Sequence, residues 1–440
     1  MKTKRVLYAL IATLSLSCTA PANLNLSDST KPLSLEAVTI QAESIGADST
    51  QNTSSSTLSE SSYDKLVADS FISTGNTYRF MKAIEKAQKG EDVTIAFIGG
   101  SITEGKCSTK HKNSFAYLFY TMFKERFGKN DGSNIHYVNA GMDGTPSTVG
   151  ILRYDRDVLS ASPTAPDIVI VDFCVNDDID VTLGNAYESL IRRIINSENK
   201  PACLTLFNIF SWDWNLQDRM IPISEYYDLP MLSMKNSVMP AIKNGTLKTS
   251  DYFAEDTIHP VDFGHKLIAD SIMYCVDQMI AKGTDTEDII VPDKPVIGKD
   301  FEDIVTIDSK TIPEGVTLNK GSFKFTDYSL GRFQYTNKLK FPNSMKCPCL
   351  ALNESLTLNA TCKKALLSFK LSGRKTAGAV DLYIDGNYVT NINSSNGDWE
   401  RAYCIEILNE DVSANHTFEF KIAKGSELKT FSILDIGIVK

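Results

Sequence analysis

The stretch Val93-Thr-Ile-Ala-Phe-Ile-Gly-Gly-Ser-Ile-Thr-Glu-Gly105 constrains the fold more than any other, because an apolar, β-branched run stops at two glycines and a serine. A run without polar alternation predicts a strand buried on both faces, as in a parallel sheet covered by helices. The glycines mark a tight turn at its C-terminal end, the edge at which open α/β sheets bind ligands. Ser101 sits at that edge and is the first candidate for chemistry.

The same unit recurs along the chain. A helix is expected over 76–90, with Asn76 or Thr77 as cap, Phe80, Met81, Ile84 and Ala87 on one face, and Gly90 as its end. After the strand at Val93 come a polar loop over 106–113 and a second amphipathic helix over 114–127. Ile135-His-Tyr-Val-Asn-Ala-Gly141-Met-Asp-Gly144 is again strand then glycine. A helix over 150–160 leads to the apolar strand 166–173, which runs into Cys174-Val-Asn176-Asp177-Asp178. A helix over 186–196 and a strand over 202–210 follow. Short apolar strands alternating with helices predict a doubly wound parallel sheet, whose right-handed crossovers bring all strand C-termini to one edge.

Beyond 282 the texture changes. Val291-Pro-Asp-Lys-Pro-Val-Ile-Gly298 is a proline-bearing linker, and short alternating runs follow at 322–325, 365–371, 379–384, 417–422 and 430–438. Asp385-Gly386-Asn387 is a hairpin signature. This part is expected to be an antiparallel, jelly-roll-like β-sandwich. At 440 residues, two domains plus non-globular segments are in line with the length.

The N-terminus carries Lys2, Lys4 and Arg5, then an apolar run over 6–16 and small residues, the layout of a secretory signal peptide. Cleavage after Ala22 and a lipid anchor at Cys18 are both open. Residues 23–62 are rich in Ser, Thr, Asn and Asp and read as a flexible tether. No later segment is long and apolar enough to span a bilayer. The net charge of -9 argues against nucleic acid or an anionic membrane as the main partner. Of the nine cysteines, Cys174, Cys203 and Cys275 fall in expected strands and a helix and read as buried thiols. A disulfide among Cys347, Cys349, Cys362 and Cys404 is compatible with export, with the pairing open.

Of the five histidines, His259 has the context for catalysis. Asp256, three residues ahead, can reach the imidazole Nδ1 and leave Nε2 to take a proton from Ser101, and a hydroxyl is a poor nucleophile without such a base. Each piece is weak alone; four occur in one order. Gly-Ser-Ile follows the first strand, Gly141 the second, Asn176-Asp177 the third, and Asp256-Thr-Ile-His259-Pro precedes the last helix. Over residues 70–282 the chain therefore resembles the SGNH (GDSL-type) hydrolases, specifically their exported bacterial carbohydrate acetylesterases.

The resemblance implies a flavodoxin-like α/β sheet and a serine esterase with Ser101 as nucleophile, His259 as base and Asp256 as its orienting acid. It also implies an oxyanion hole made by Ser101 N–H, Gly141 N–H and the Asn176 amide. Two departures stand out: Gly100 replaces the Asp of Gly-Asp-Ser, and Cys174 replaces the Gly two places before the Asn, changing the shape expected of the oxyanion pocket. The expected substrate is an acetylated polysaccharide or oligosaccharide, with no metal or cofactor required. Trp212 and Trp214 beside the catalytic edge, and Trp399 in the sandwich, are candidate sugar-stacking residues. The expected plan is a signal peptide (1–22), tether (23–62), hydrolase domain (63–285), linker (286–298) and β-sandwich (299–440) of a secreted or cell-surface protein, the sandwich binding glycan or supporting the fold. A lipase, phospholipase or thioesterase, and a catalytically decayed glycan-binding protein, are the alternatives.

Overall fold

The computed structural model describes residues 58–349 and 354–440. The segment read as a signal peptide, with Cys18, and most of the tether lie outside the described residues. The chain divides into the units Met1–Glu60 and Ser61–Lys440, and the two sheets belong to the second. A helix, α1 (Glu60–Asp69), starts inside the stretch that composition marks as tether.

The first sheet has six strands among the described residues: β1 (Phe71–Ser73), β2 (Val93–Gly99), β3 (Ile135–Gly141), β4 (Ile168–Asp172), β5 (Ala202–Phe207) and β6 (Met231–Ser233), in the order β1-β6-β5-β4-β2-β3. β2 to β6 are parallel and β1 pairs antiparallel with β6 at the edge. Because β2 lies between β3 and β4, the winding reverses there, and a crevice opens at the C-terminal ends of these three strands. Every residue of β2, β4 and β5 is buried, which is why their sequences carry no polar alternation.

The helices are α2 (Tyr78–Lys89), α3 (Ser101–Glu104), α4 (Phe115–Phe127), α5 (Ser147–Tyr154), α6 (Asn185–Ile195), α7 (Gln217–Tyr226), α8 (Met234–Lys243), α9 (Thr249–Tyr252) and α10 (Asp262–Lys282). Gly90 ends α2 in the left-handed conformation, as expected of a C-terminal glycine. α5 starts three residues before its sequence expectation and passes into a π turn at Asp155–Leu159. Its first amide, Ser147 N–H, donates to Asp177 Oδ1 at 2.7 Å. Burial, with Asp180 nearby, pushes the Asp177 carboxyl up to about 8.

The second sheet comprises β7 (Val305–Ile307), β8 (Thr317–Asn319), β9 (Met345–Cys347), β10 (Leu356–Leu371), β11 (Ala379–Ile384), β12 (Asn387–Asn393), β13 (Arg401–Ile422) and β14 (Phe431–Val439), all paired antiparallel. β10 and β13 are long, and their mutual register shifts between Cys362 and Lys364 and again between Ala365 and Leu366. On one side of these shifts β10 pairs with β8, on the other with β14. Leu356, Leu358, Phe418 and Phe420 from the first half share a core with Leu367, Phe369, Ile433 and Ile436 from the second. One continuous sheet thus folds over at its irregularities into a sandwich. Asp385 (φ 52°) and Gly386 (φ 80°) make the β11–β12 hairpin turn. The strand expected over 322–325 is a loop with one bridge, Phe325 to Lys346. Cys347, Cys349, Cys362 and Cys404 are free thiols, so none of the four is paired with another.

The linker is a fastened strap. Val296, Ile297 and Gly298 donate their amides to the Glu188 carboxylate of α6 at 2.7, 2.5 and 2.9 Å, and the Tyr227 hydroxyl donates to it at 2.6 Å. Further on, Thr306 Oγ1 donates to Leu152 O, Arg156 bonds the fully buried Asp435 of β14, and the Tyr335 hydroxyl donates to Tyr137 O. The second domain is therefore seated on α5, α6 and the β3 edge through directional bonds.

Glu188→Ala should destabilise the protein by at least about 3 kcal/mol, since each buried donor left without an acceptor costs roughly 1–3 kcal/mol. An unchanged urea midpoint would contradict the strap. A chain ending at Asp288 strands the same carboxylate and uncovers the seat, so it should aggregate; a soluble monomer by gel filtration would argue against that. Asp177→Asn keeps an acceptor for Ser147. Wild-type Asp177 holds its proton when folded but releases it near pH 4 when unfolded, so it costs stability progressively as pH rises from about 4 to about 8. The variant should gain on wild type across that window; a difference independent of pH would be inconsistent with a buried neutral acid.

Candidate active site

The site is assembled where β2, β3 and β4 end in register, Gly99 lying beside both Gly141 and Asp172. A Cβ on Gly99 would fall 2.3 Å from Thr103 Oγ1, and one on Gly100 would fall 2.0 Å from Asn176 Oδ1. Backbone closes on Gly99, where the added atom would also fall 2.4 Å from Asp172 O, and Gly100 is where the Asn176 side chain of the loop after β4 touches the loop after β2. Ser101 opens the single turn α3, closed by Gly105 at φ 99°. As first residue of that turn, Ser101 has an amide with no intrahelical acceptor.

His259 comes from a tight turn between α9 and α10, pinned by Ala254 N–H to His259 O at 2.8 Å and by Thr257 at φ 62°. Its Nε2 lies 2.7 Å from Ser101 Oγ and its Nδ1 lies 2.6 Å from Asp256 Oδ2. Asp256 Oδ1 accepts the amides of Ile258 and His259 at 2.9 and 3.0 Å. Burial raises the Asp256 carboxyl, but the bonds from the His259 ring and the two amides outweigh it and hold it well below the usual carboxylate range. An ionised acceptor at Nδ1 fixes the proton there, leaving Nε2 free to accept from the serine hydroxyl. His265, which also follows an Asp by three residues, is fully buried between Phe115 N–H and Lys106 O, and burial lowers it to about 4.

The expected oxyanion donors divide. The Asn176 side chain lies against Gly100, beside Ser101. Cys174 is buried, and its thiol donates to Asn208 O at 3.2 Å, away from that crevice. The Gly141 amide is not available: it donates to Asn139 Oδ1 at 2.8 Å, and its Cα is pressed on the Glu104 backbone. The next amides are also engaged, Met142 with Gly99 O at 3.0 Å and Asp143 with Glu104 Oε2 at 2.9 Å. Gly144, at φ +63°, has an amide that meets no acceptor among the described residues. Sequence spacing singles out the first glycine of Gly141-Met-Asp-Gly144; only the backbone course distinguishes the second.

The aromatic candidates also separate. Trp212 is 54% exposed, with its ring 4.9 Å from Phe210, while Trp214 stacks on Phe210 at 5.7 Å. Ser211 N–H donates to Thr257 O at 3.2 Å, tying this loop to the His259 turn. Trp399 is outside the sandwich core: its ring covers Gly144, where an added Cβ would fall 2.3 Å from Trp399 Cη2, and Arg401 stacks on it at 5.4 Å. The second domain thus contributes a wall at the loop after β3. Cys107, Asp256 and His259 have ligand atoms within 4.8 Å of one another, but the imidazole and carboxylate are spent on each other.

Residues 97–267 match the model of the GDSL-like lipase/acylhydrolase family. Two crystal structures of a two-domain esterase active on acetylated mannans, one co-crystallized with mannopentaose, are similar over both domains. They share 26% identity, cover 85% of this chain and 98% and 99% of their own, and give TM-scores of 0.71 and 0.73. No curated protein matches the chain significantly. With that match lying across the β2–β4 crevice and the His259 turn, residues 97–267 form a GDSL-like lipase/acylhydrolase domain, and the chain is a carboxylic ester hydrolase.

Proposed function

We propose that this protein is an exported serine esterase that removes acetyl groups from a carbohydrate, with acetylated mannan as the leading substrate. The observation that carries the reading is the bonded chain Asp256–His259–Ser101, at 2.6 and 2.7 Å. The mannan assignment is supported by a neighbour that is similar over its whole two-domain length. Ser101 Oγ attacks the acetyl carbonyl carbon as its proton passes to His259 Nε2. The negative oxygen of the tetrahedral intermediate is met by Ser101 N–H and the Asn176 amide, with Gly144 N–H taking the place expected of Gly141. Collapse breaks the bond to the sugar oxygen, which takes the proton from His259. Water then attacks the acetyl-enzyme, gives its proton to Nε2, and releases acetate as Ser101 is restored. Trp212 offers a face on which a sugar ring would stack, while the Trp399 ring is engaged with Gly144 and Arg401.

With acetyl, butyryl and palmitoyl esters, the rate should fall steeply as the acyl chain lengthens, and Ser101→Ala should abolish hydrolysis without changing thermal unfolding. A preference for palmitoyl would make the protein a lipase, and an active Ser101→Ala would remove the nucleophile. Asn176→Ala should lower kcat by roughly 10²–10³ at nearly constant KM, the usual cost of one oxyanion donor; a change confined to KM would make Asn176 a binding residue. Trp212→Ala should raise KM for acetylated mannan oligosaccharides and spare a small soluble ester, and equal effects on both would contradict stacking.

A further inference from the structure

Lys340 comes from the second domain, from the loop between β8 and β9, and is only 5% exposed. Its ammonium lies 2.9 Å from Glu104 Oε1, 3.0 Å from Glu104 Oε2 and 2.5 Å from Asp143 Oδ1. Glu104 is the last residue of the turn that Ser101 opens. Asp143 directly precedes Gly144. Glu104 Oε2 also accepts the Asp143 amide at 2.9 Å, so the three residues close a ring around the backbone between Asp143 and its neighbour.

Lys340 is itself anchored. Arg156 Nη2 donates to Lys340 O at 3.4 Å, and Arg156 Nη1 to Asp435 of β14 at 2.9 and 3.1 Å. Asp157, bonded to Arg156, also meets the fully buried Arg153, whose Nη2 donates to Gly99 O at 3.0 Å and whose Nη1 donates to Ala140 O. The two carboxylates facing Lys340 would repel each other without it. Burial opposes the charge on Lys340, but Asp143 and Glu104 outweigh burial and keep it an ammonium. Lys106 is the further cation near Asp143.

We propose that Lys340 is a positioning residue for catalysis: by bridging Glu104 and Asp143 it fixes the loop after β3 relative to Ser101, so that the oxyanion site is complete only with the second domain docked. This rests on the reading of Ser101 as nucleophile and of the loop after β3 as a source of oxyanion donors. Donors stabilise a developing charge only when held in place beforehand, and a displacement of about 1 Å can cost on the order of 10²-fold in rate.

The test uses the full chain and a small soluble acetyl ester. Lys340→Met should lower kcat by roughly 10- to 100-fold with KM within about twofold, and Lys340→Arg should recover part of the loss. Glu104→Gln should cost much less in the Lys340→Met background than alone, because the two act through one cluster. A folded Lys340→Met protein with wild-type kcat, or with a change only in KM, overturns the proposal. Should Lys340→Met be insoluble, Asp143→Asn carries the test: a kcat loss at constant KM supports the clamp and an unchanged kcat overturns it. An active Ser101→Ala control would instead overturn the underlying reading.

Discussion

No side chain fits on the Cα atoms of Gly99 or Gly141, and the rest of the site depends on that constraint. Backbone meets backbone where β2, β3 and β4 end: Gly99 lies against the Thr103 hydroxyl and the Asp172 carbonyl, Gly141 against the Glu104 backbone, and Gly100 against Asn176. Close packing of this kind converts a sheet edge into a set of fixed positions. It also leaves the Asn176 side chain beside Gly100, next to Ser101.

The second domain is tied into this edge. Its seat holds a cluster of charges, the buried Arg153, Asp157, Lys340 and Asp435 with the half-buried Arg156, and Glu104 and Asp143 lie at its rim. Buried charges add little net stability compared with apolar packing, yet removing one partner is strongly unfavourable, so such clusters specify one arrangement of the parts they join. Here those parts are the β2 and β3 ends, α3 and the sandwich. Trp399 over Gly144 extends the same contact, which makes the sandwich a wall of the crevice in this account.

Much of the first domain was legible because it obeys simple rules. The fully buried strands β2, β4 and β5 read as apolar runs, and α2 reads from its three-to-four spacing. β1 and β6, three residues each, are too short to leave a periodicity. In the second domain the expected strands at 365–371 and 417–422 are fragments of β10 and β13; the first half of β10, 356–362, alternates buried and part-exposed residues as a half-buried strand does, whereas the middle of β13, 409–415, is exposed and largely polar. At the site, Ser101, Asp256 and His259 are brought together as the motif order suggested. Gly141 is not free to donate, because Asn139 claims its amide, a choice that spacing cannot reveal. Lys340 lay in Asn337-Lys-Leu-Lys340, where nothing distinguishes a buried clamp from the exposed Lys338. The partner of a buried charge is set by tertiary placement.

The account turns on a covalent acetyl group at Ser101. Mixing the full chain with acetylated mannan oligosaccharide, quenching in acid on the millisecond scale and mapping the digest by mass spectrometry tests it most directly. The account predicts a transient acetyl group on the peptide containing Ser101 that decays as acetate accumulates. Acetate released in a burst with that peptide unmodified at every time point would contradict it.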